Sequence, residues 1–325
     1  MATLKDVSKE TGLSIGTISR VLNNRGYISQ ETKDKVTEAM AKLNYQPNEL
    51  ARSLSKQSSS IIALIVPSIA NPYFAVLARF IEEAATRAGY QILLMNSGDK
   101  GEREPELLSI CQKHRVSGII LCSGRFSTIP LKKLNIPVVT IERAQEEAMA
   151  SIECDNAQGG KLAGEHLINQ GCKHLLLISS VQGHAMPADK RSKGFISACE
   201  ERKVEYHDIS YSQVIFENMD YVDFLTNLLE TFPLTDGIFC SNDIAASQAL
   251  QVCAKLKKRV PEEIKVIGFD DIPFARMTVP PLTTIHQPIK EMAQYAIMSL
   301  LNSNSIEDQT TTVTMSVSLV KRSST

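Results

Sequence analysis

Short apolar runs alternate with helical segments along most of this chain. From Ile61 onward the runs IIALIV, QILLMN, GIILC and IPVVTIE are separated by stretches of helical periodicity, and after SIECDNAQGG the pattern resumes with HLLLIS, DGIFC and IKVIGF. Such alternation is typical of βα units, in which buried parallel strands carry helices on both faces of a sheet. The two successive series predict two similar α/β lobes, with a ligand site in the cleft beyond the carboxyl ends of the strands.

The N-terminal part of the chain differs in charge from the rest. The 325 residues have a net charge of −1, which by itself argues against a nucleic-acid partner, but the first 58 carry nine Lys/Arg against six Asp/Glu. The positive excess is therefore confined to a small N-terminal segment, where a polyanionic partner would bind.

The first 46 residues predict three short helices. Thr3 caps a helix over Leu4–Thr11, a second helix runs from a cap at Ser14 to Asn23, and a third begins near Ser29. Two helices joined by a tight glycine turn form a helix-turn-helix. We call residues 1–46 the headpiece, and its predicted fold is all-α. Its predicted core consists of Val7, Ile18, Val21, Leu22, Val36, Met40 and Leu43.

The outward face of the second helix is predicted to read DNA, because in this motif its N-terminal residues enter the major groove. Arg20 can bond guanine or a phosphate, and Thr17 and Ile15 can touch a thymine methyl group. Gly16 has no side chain and allows close approach of the backbone. The alternative is an ordinary capped helical hairpin with no role in DNA binding.

Residues 47–57, within YQPNELARSLSKQSSS, predict a helix that is too short to be stable alone. We expect this segment to become helical only when it is bound. An exposed leucine beside Arg52 and Lys56 suits a wedge that kinks DNA from the minor groove. The alternative is a plain interdomain linker.

Polar and aromatic side chains follow the predicted strands of the large body. Amide, carboxylate and guanidinium groups with an aromatic face suit a sugar-like polyol, although each residue alone is more often a loop cap or a solvated charge. The predicted effector residues are Asn71, Tyr73, Phe74, Ser123, Glu142, Arg143, Arg191, Asn242, Asp270 and Gln287, with Asp243 as a weaker candidate.

Signatures of other protein classes are absent from the sequence. GxGxxG after a strand, GxxxxGK[ST], a GxSxG elbow that follows a strand, and HExxH do not occur, and the six histidines show no ligand spacing, so we expect no catalytic residue, metal or cofactor. The seven cysteines are scattered and never spaced CxxC, and no apolar run approaches the roughly 20 residues of a membrane span. We expect a soluble protein of the reducing cytoplasm.

The segments TLKDVSKETGLSIGTISRVLNNRGYISQET, LNYQPNELARSL, GFDDIPFARMTVPPLTTIHQP and LVKRSS together resemble the LacI–GalR family of repressors over essentially the whole chain. GYIS, ARSL and PLTTIHQP are most similar to the ribose and sucrose operon repressors of that family. The resemblance implies a homodimer whose headpieces bind a pseudo-palindromic operator. It also implies a headpiece at 1–46, a hinge helix at 47–57 and a periplasmic-binding-protein-like core at 58–325. Within the core, the N-lobe would span about 58–156 and 289–316, and the C-lobe about 157–288 and 317–325.

Residue roles follow from the same resemblance. The hinge helix would form on the operator, with Leu54 intercalating at the central base step. The predicted DNA contacts are Thr3, Ser14, Ile15, Gly16, Thr17, Ser19, Arg20, Ser29, Asn48, Ala51, Arg52, Leu54, Ser55 and Lys56. Tyr73 and Phe74 would pack on the effector, and polar contacts would come from Ser123, Arg191, Asn242, Asp270 and Gln287.

One departure from the family bears on the effector. Glu142-Arg143 stands where relatives often have an aspartate followed by an aromatic residue, and the chain has no tryptophan. This disfavours purine stacking and favours a polar or phosphorylated sugar, because Arg143 together with Arg191 could pair with an anion.

The predicted function is therefore an effector-controlled repressor of a carbohydrate uptake or catabolism operon, and not an enzyme. Ligand binding would change the angle between the lobes and hence the spacing of the headpieces, and the sequence leaves open whether this releases or recruits DNA. The alternatives are a cytosolic or transport-associated sugar-binding protein, which would have the same lobes and site, and a Rossmann-type enzyme.

Overall fold

The computed structural model describes residues 2–22, 26–45, 59–98, 103–122, 131–143, 147–179, 186–302 and 311–325. The chain forms two compact units, Met1–Ser59 and Ser60–Thr325. In the described residues no helix is both long and apolar enough to cross a membrane.

The small unit contains the three predicted helices, which are α1 (Leu4–Thr11), α2 (Ile15–Leu22) and α3 (Gln30–Lys42). The carboxylate of Asp6 accepts hydrogen bonds from the backbone N–H and the hydroxyl of Thr3, at 2.8 and 2.7 Å, and so closes the start of α1. Asn23, the predicted end of α2, lies outside the described residues. The buried apolar residues of this unit are Val7, Ile18, Val36 and Ala39, with Val21, Leu22, Met40 and Leu43 partly buried around them.

The large unit contains two six-stranded sheets. The first has the order β11-β5-β4-β3-β1-β2 and is parallel throughout. Its strands are β1 (Ile61–Val66), β2 (Gln91–Asn96), β3 (Gly118–Leu121), β4 (Val138–Ile141), β5 (Ala150–Cys154) and β11 (Thr311–Met315). The associated helices are α4 (Pro72–Arg87), α5 (Glu104–Lys113) and α11 (Ile289–Leu301).

The second sheet has the order β12-β10-β9-β8-β6-β7, in which only β12 runs antiparallel to its neighbour. Its strands are β6 (His174–Ser179), β7 (Glu205–Ser210), β8 (Gly237–Cys240), β9 (Lys265–Asp270), β10 (Thr283–His286) and β12 (Ser318–Val320). The associated helices are α6 (Asn156–Asn169), α7 (Lys190–Arg202), α8 (Gln213–Asn218), α9 (Val222–Thr231) and α10 (Asp243–Lys255).

The chain passes between the two sheets three times. It leaves the first sheet after β5, returns to it through α11 and β11, and ends in the second sheet with β12. The central strands β3, β4 and β8 are buried along their whole length, which explains why they appear in the sequence as continuous apolar runs. Both lobes therefore present the carboxyl ends of parallel strands, and this is the α/β architecture predicted from the alternation.

Candidate functional site

A cavity of about 140 Å³ lies in the large unit and is lined by residues from both lobes. The first lobe contributes residues that follow β1 and β4, and the second contributes residues that follow β8 and β9 or begin α7. Seven predicted effector residues line it, namely Asn71, Tyr73, Phe74, Glu142, Arg191, Asn242 and Asp270.

Two asparagines at the cavity begin helices. The Asn71 side-chain oxygen accepts a hydrogen bond from the Tyr73 N–H at 3.0 Å, and the Asn242 oxygen accepts one from the Ala245 N–H at 2.8 Å. These N-caps place each asparagine at a strand-to-helix turn and commit its amide oxygen to the helix. The Asn242 Nδ2 donates to the Tyr211 hydroxyl at 3.4 Å, which ties the cap to the aromatic side of the cavity.

Arg191 is buried at the centre of the polar side of the cavity. Its Nε donates to Asn156 Oδ1 at 2.7 Å, and its Nη1 donates to the Ser241 carbonyl at 2.6 Å. Its guanidinium carbon lies 3.6 Å from the centroid of the Phe269 ring, and Nη1 lies 3.5 Å from Asp270 Oδ1. Burial, the largest single effect, disfavours the charged form, but Asp270, Cys154, Glu142 and Tyr73 together outweigh it, so the pKa of Arg191 is raised.

Asp270 ends β9 and presents a carboxylate to the cavity. Gln287 Nε2 donates to its Oδ1 at 2.6 Å. Burial raises the pKa of the Asp270 carboxyl to about 7, while the charge of Arg191 and the hydrogen bond from Gln287 act in the opposite direction. The backbone φ of Asp270 is +118°, which residues with a side chain rarely adopt.

Gln287 is a predicted effector residue that lies behind the cavity surface. It is 1% exposed and is not part of the cavity lining. Its amide nitrogen holds Asp270, and its oxygen accepts a hydrogen bond from the Tyr73 hydroxyl at 3.5 Å. Gln287 therefore links two cavity residues from opposite lobes instead of facing the cavity itself.

Glu142 is the second cavity carboxylate with a left-handed backbone, at φ +52°. Its Oε1 accepts a hydrogen bond from the Cys154 N–H at 2.6 Å, and its Oε2 accepts one from Asn156 Nδ2 at 3.0 Å. Asn156 Oδ1 also accepts a hydrogen bond from Arg191 Nε, so the Glu142 carboxylate and the Arg191 guanidinium are both bonded to the Asn156 amide.

Arg143 does not reach the cavity, in contrast to the expectation that it would face an anion beside Arg191. Its guanidinium forms a two-pronged ion pair with Glu104, at 3.1 and 3.3 Å, and the two side chains are 2% and 1% exposed. A buried arginine needs such a partner, and here α5 supplies it. Ser123 lies outside the described residues.

Asp243, the weaker candidate, has a structural position. It is fully buried and accepts hydrogen bonds from the Thr284 hydroxyl at 2.5 Å and from the Ile272 N–H at 3.0 Å. Burial, and then the nearby Asp270, raise its pKa well above the ordinary value for aspartate. Asp243 is not part of the cavity lining.

The second lobe contributes an aromatic wall to the cavity that was not among the residues predicted from the sequence. Tyr211 directly follows β7, so the rule that strand ends carry site residues could have found it. Tyr211 and Tyr221 meet edge to face at 5.0 Å between ring centroids, and Phe216 stacks on Tyr211 at 6.3 Å. Further lining residues that were not predicted include Met186, Asp189, Met219 and Ser241.

The predicted DNA-reading face of α2 is open to solvent. Ile15 is 43% exposed, and Gly16 and Arg20 are also exposed. Ser14 Oγ accepts a hydrogen bond from the Thr17 N–H at 3.1 Å and lies 2.9 Å from the Thr17 hydroxyl, so this cap orients the partly exposed Thr17 side chain.

The other predicted DNA contacts of the headpiece lie at helix starts or on α2. Thr3 and Ser29 are exposed residues that precede α1 and α3, and Ser19 is partly exposed. Tyr27, which was not predicted, is 94% exposed before α3. Asn48, Ala51, Arg52, Leu54, Ser55 and Lys56 lie outside the described residues.

Comparison with known proteins matches each unit to a family. Residues 3–48 match the family of bacterial regulatory proteins of the lacI type, and residues 165–325 match a periplasmic binding protein-like domain. The chain is similar to the ribose operon repressor of Halalkalibacterium halodurans, with 37% identity over 93% of this chain and 90% of that protein. It is also similar to the ribose operon repressor of Bacillus subtilis, with 38% identity over 93% of this chain and 91% of that protein.

Further relatives and solved structures agree. The sucrose operon repressor of Streptococcus mutans is 32% identical over 95% of this chain and 94% of that protein. The Lac repressor bound to ONPG has a TM-score of 0.87 at 25% identity, covering 100% of this chain and 99% of that one. A LacI family transcriptional regulator from Enterococcus faecium with bound ribose has a TM-score of 0.72 at 27% identity, covering 82% and 98%. By its headpiece, its two-lobed core and its full-length relatives, the chain belongs to the lacI family of bacterial regulatory proteins.

Proposed function

We propose that this protein represses a carbohydrate operon and that an unphosphorylated sugar controls its affinity for operator DNA. The observation that carries the proposal is the cavity between the lobes, where the Arg191–Asp270 pair faces aromatic side chains. The family and the repressor names of the full-length relatives support a DNA-binding regulator and not an enzyme. A repressor must meet its operator in the cytoplasm, so that location is part of the proposal.

The charges at the cavity favour a neutral ligand. Among the described lining residues, Glu142, Asp189 and Asp270 carry carboxyl groups, and Arg191 is the one cation. Arg191 already bonds Asn156, Ser241 and Asp270, and Arg143 is buried with Glu104. A phosphate group would need donors that are not already engaged, whereas sugar hydroxyls can both donate to carboxylates and accept from amides. We therefore propose an unphosphorylated sugar as the effector, and not the sugar phosphate that the sequence also allowed.

The apolar side of the cavity suits the C–H face of a sugar ring. Tyr73 and Phe74 from the first lobe meet edge to face at 5.2 Å, and Tyr211, Phe216 and Tyr221 come from the second. A pocket with apolar walls and a few fixed polar groups binds small ligands in one orientation. The names of the relatives, ribose and sucrose operon repressors, make these two sugars the first probes.

Calorimetry on the full chain tests the proposed effector. We expect binding of D-ribose or sucrose and at least about a tenfold weaker affinity for D-ribose 5-phosphate, since every tenfold step corresponds to about 1.4 kcal/mol. Arg191→Met should abolish the sugar signal, and Arg259→Met, at an exposed arginine, should leave it unchanged. Stronger binding of the phosphate ester than of the sugar would contradict the proposal.

A gel shift with promoter DNA, with and without sugar, tests the regulatory half of the proposal and shows whether sugar releases or recruits DNA. Arg20→Ala should weaken binding to the cognate sequence by about 1–3 kcal/mol if Arg20 contacts a base. Lys35→Ala, at an exposed lysine of α3, removes the same charge from the headpiece and serves as the control. A wild-type chain that binds sugar but no promoter would instead be a transport-associated sugar-binding protein.

The hinge roles of Arg52, Lys56 and Leu54 stay predictions, because these residues lie outside the described part of the chain. Replacing Arg52 and Lys56 together should flatten the salt dependence of operator binding, since fewer phosphate contacts release fewer counterions. Leu54→Ala should weaken operator binding and leave sugar affinity intact, because only the kinked DNA complex needs the wedge.

A homodimer is part of the proposal, because two headpieces are needed for a pseudo-palindromic operator. Phe274, Met277 and Val279 form an apolar patch on the second lobe and are 45%, 70% and 91% exposed. Such patches mark interfaces, and we assign this one to a second copy of the chain. Met277→Asp should shift the sedimentation of the protein towards monomer, whereas Met298→Asp, also at an exposed methionine, is the comparison.

A further inference from the structure

Two consecutive residues at the end of β9 have a left-handed backbone although neither is glycine. The φ angles are +118° at Asp270 and +54° at Asp271. A residue with a side chain keeps such a conformation only where its surroundings hold it. Because Asp270 is a cavity residue, this backbone conformation decides where its carboxylate points.

The side chain of Asp271 is held from two sides. Its Oδ1 accepts a hydrogen bond from Arg322 Nη2 at 2.5 Å, and its Oδ2 lies 2.9 Å from His286 Nδ1. The Asp271 side chain is 8% exposed, so the ion pair with Arg322 is largely shielded from water. Charge-assisted hydrogen bonds of this kind are among the strongest that fix a side chain.

Arg322 is itself anchored by its own side chain and by the C-terminal segment, residues 318–325. Its Nη1 donates to the Leu282 carbonyl at 2.7 Å, and its backbone N–H donates to Thr283 Oγ1 at 2.9 Å. Two residues later, the buried Ser324 donates to the Val266 carbonyl at 2.6 Å and accepts from the Thr283 N–H at 2.8 Å. With β12 paired to β10, the segment is bonded to both strands that flank the Asp270 turn.

We propose that Arg322 is a positioning residue for the effector. Through Asp271 it holds the end of β9 in the conformation that directs the Asp270 carboxylate into the cavity, so the C-terminal segment sets effector affinity without touching the ligand. The inference rests on the proposed sugar site for its binding consequence, and its backbone consequence is independent of any ligand.

Calorimetry with D-ribose on full-length variants tests the binding consequence. Arg322→Met should weaken binding by about tenfold or more, as expected when a charged hydrogen bond is lost. Arg322→Lys should recover part of this affinity, because lysine keeps the charge but can replace only one of the two side-chain bonds. Lys321→Met is the matched control, since Lys321 is exposed on the same segment, and it should bind ribose as the wild type does.

A double-mutant cycle separates positioning from general destabilisation. If Arg322 acts through Asp271, then Arg322→Met should cause little further loss of ribose affinity in a chain that already carries Asp271→Asn. The operator affinity of Arg322→Met without sugar should stay at the wild-type value. An equal loss in both backgrounds, or a parallel loss of operator binding, would show a merely structural role.

Hydrogen exchange without ligand tests the backbone consequence. The Ile272 N–H donates to the buried Asp243 at 3.0 Å, and a loosened turn would expose it. Arg322→Met should speed exchange in residues 270–272 and leave β6 unchanged, and Lys321→Met should change neither. Failure of the wild type to bind any sugar would count against the proposed function, whereas unchanged exchange in Arg322→Met overturns the positioning role whether or not a sugar binds.

Discussion

Asp270 is a buried acid whose pKa lies close to neutral pH. Burial outweighs the opposing effects of Arg191 and Gln287 and raises the pKa of the Asp270 carboxyl from 3.8 to about 7. The folded protein therefore binds this proton more tightly than the unfolded chain does. The contribution of Asp270 to stability is fully present below about pH 3.8 and is lost as the pH rises through about 7.

We predict that Asp270→Asn reduces the fall in melting temperature of the sugar-free protein between about pH 4 and 7. The amide does not ionise in either state, so unfolding of the variant no longer releases the proton that Asp270 holds in the folded protein. Thermal melts across this range provide the measurement, and Asp223→Asn, at an exposed aspartate, serves as the comparison. An unaltered pH profile in Asp270→Asn would mean that Asp270 is already ionised throughout.

The preference for a neutral ligand can be tested at Glu142. We predict that Glu142→Gln raises the affinity for D-ribose 5-phosphate relative to D-ribose by about tenfold, because one repelling charge is removed from the cavity. Glu217→Gln, at an exposed glutamate of α8, controls for the change in net charge. The ratio of the two dissociation constants is the quantity to compare, and an equal ratio in both variants would argue against electrostatic exclusion.

At the level of elements, the position of Arg191 depends on the contact between α6 and α7. These helices approach so closely that a Cβ atom at Gly160 would lie 1.8 Å from the Arg191 carbonyl oxygen. A Cβ atom at Gly194 would lie 1.8 Å from the Ala157 carbonyl oxygen. The backbones touch where glycine leaves room, and this brings Asn156, at the start of α6, within hydrogen-bond distance of Arg191 on α7.

We predict that Gly194→Ala destabilises the large unit by about 3 kcal/mol, since the added methyl group must separate two packed backbones. The same shift should move Arg191 and weaken sugar binding in the fraction that stays folded. Urea denaturation and calorimetry measure the two effects. Lys193→Ala, one residue away and exposed, should change neither.

At the level of the whole molecule, a regulator of this kind needs coupling between two sites on separate compact units, Met1–Ser59 and Ser60–Thr325. The two lobes share the cavity, and the Tyr73–Gln287–Asp270 chain of hydrogen bonds runs from one lobe to the other. A ligand that bridges the lobes can therefore change the balance between two lobe arrangements in proportion to its differential affinity for them.

We predict reciprocal coupling in the full chain. If saturating D-ribose changes operator affinity by some factor, then saturating operator must change D-ribose affinity by the same factor, which is typically about 5–150. Fluorescence anisotropy with labelled operator measures the change in operator affinity, and calorimetry on the preformed complex with operator measures the change in D-ribose affinity. Unequal factors would show that a third species, such as a change in oligomeric state, takes part.

Much of the headpiece and of the strand-end site could be predicted because the signals are local. The caps at Ser14 and Ser29 sit beside the helices that they start, and Asn71, Asn242 and Asp270 end an apolar strand or follow one within a few residues. Parallel strands then bring these ends to one edge of each sheet. Tyr211 also directly follows a strand, so the same local signal applies to it.

The direction of a side chain and its distant partner could not be predicted in this way. Glu142 and Arg143 are neighbours, yet one faces the cavity and the other pairs with Glu104, which is 39 positions away in the sequence. Gln287 directly follows β10 and Asp243 directly follows Asn242, but both side chains bond inward, to Asp270 and Thr284, and do not line the cavity. In each case the nearest buried partner decided the orientation.

The sequence by itself determined the order of elements, the family and the set of strand ends that bear polar groups, because periodicity, capping and strand termination are local properties of the chain. Only the tertiary structure decided which of those groups share the cavity, that Arg143 is neutralised outside it, and that Arg322 supports Asp270 from the far end of the chain. Burying a charge is costly unless a partner is present, and such partners come from elements that are distant in sequence and meet only in the folded protein.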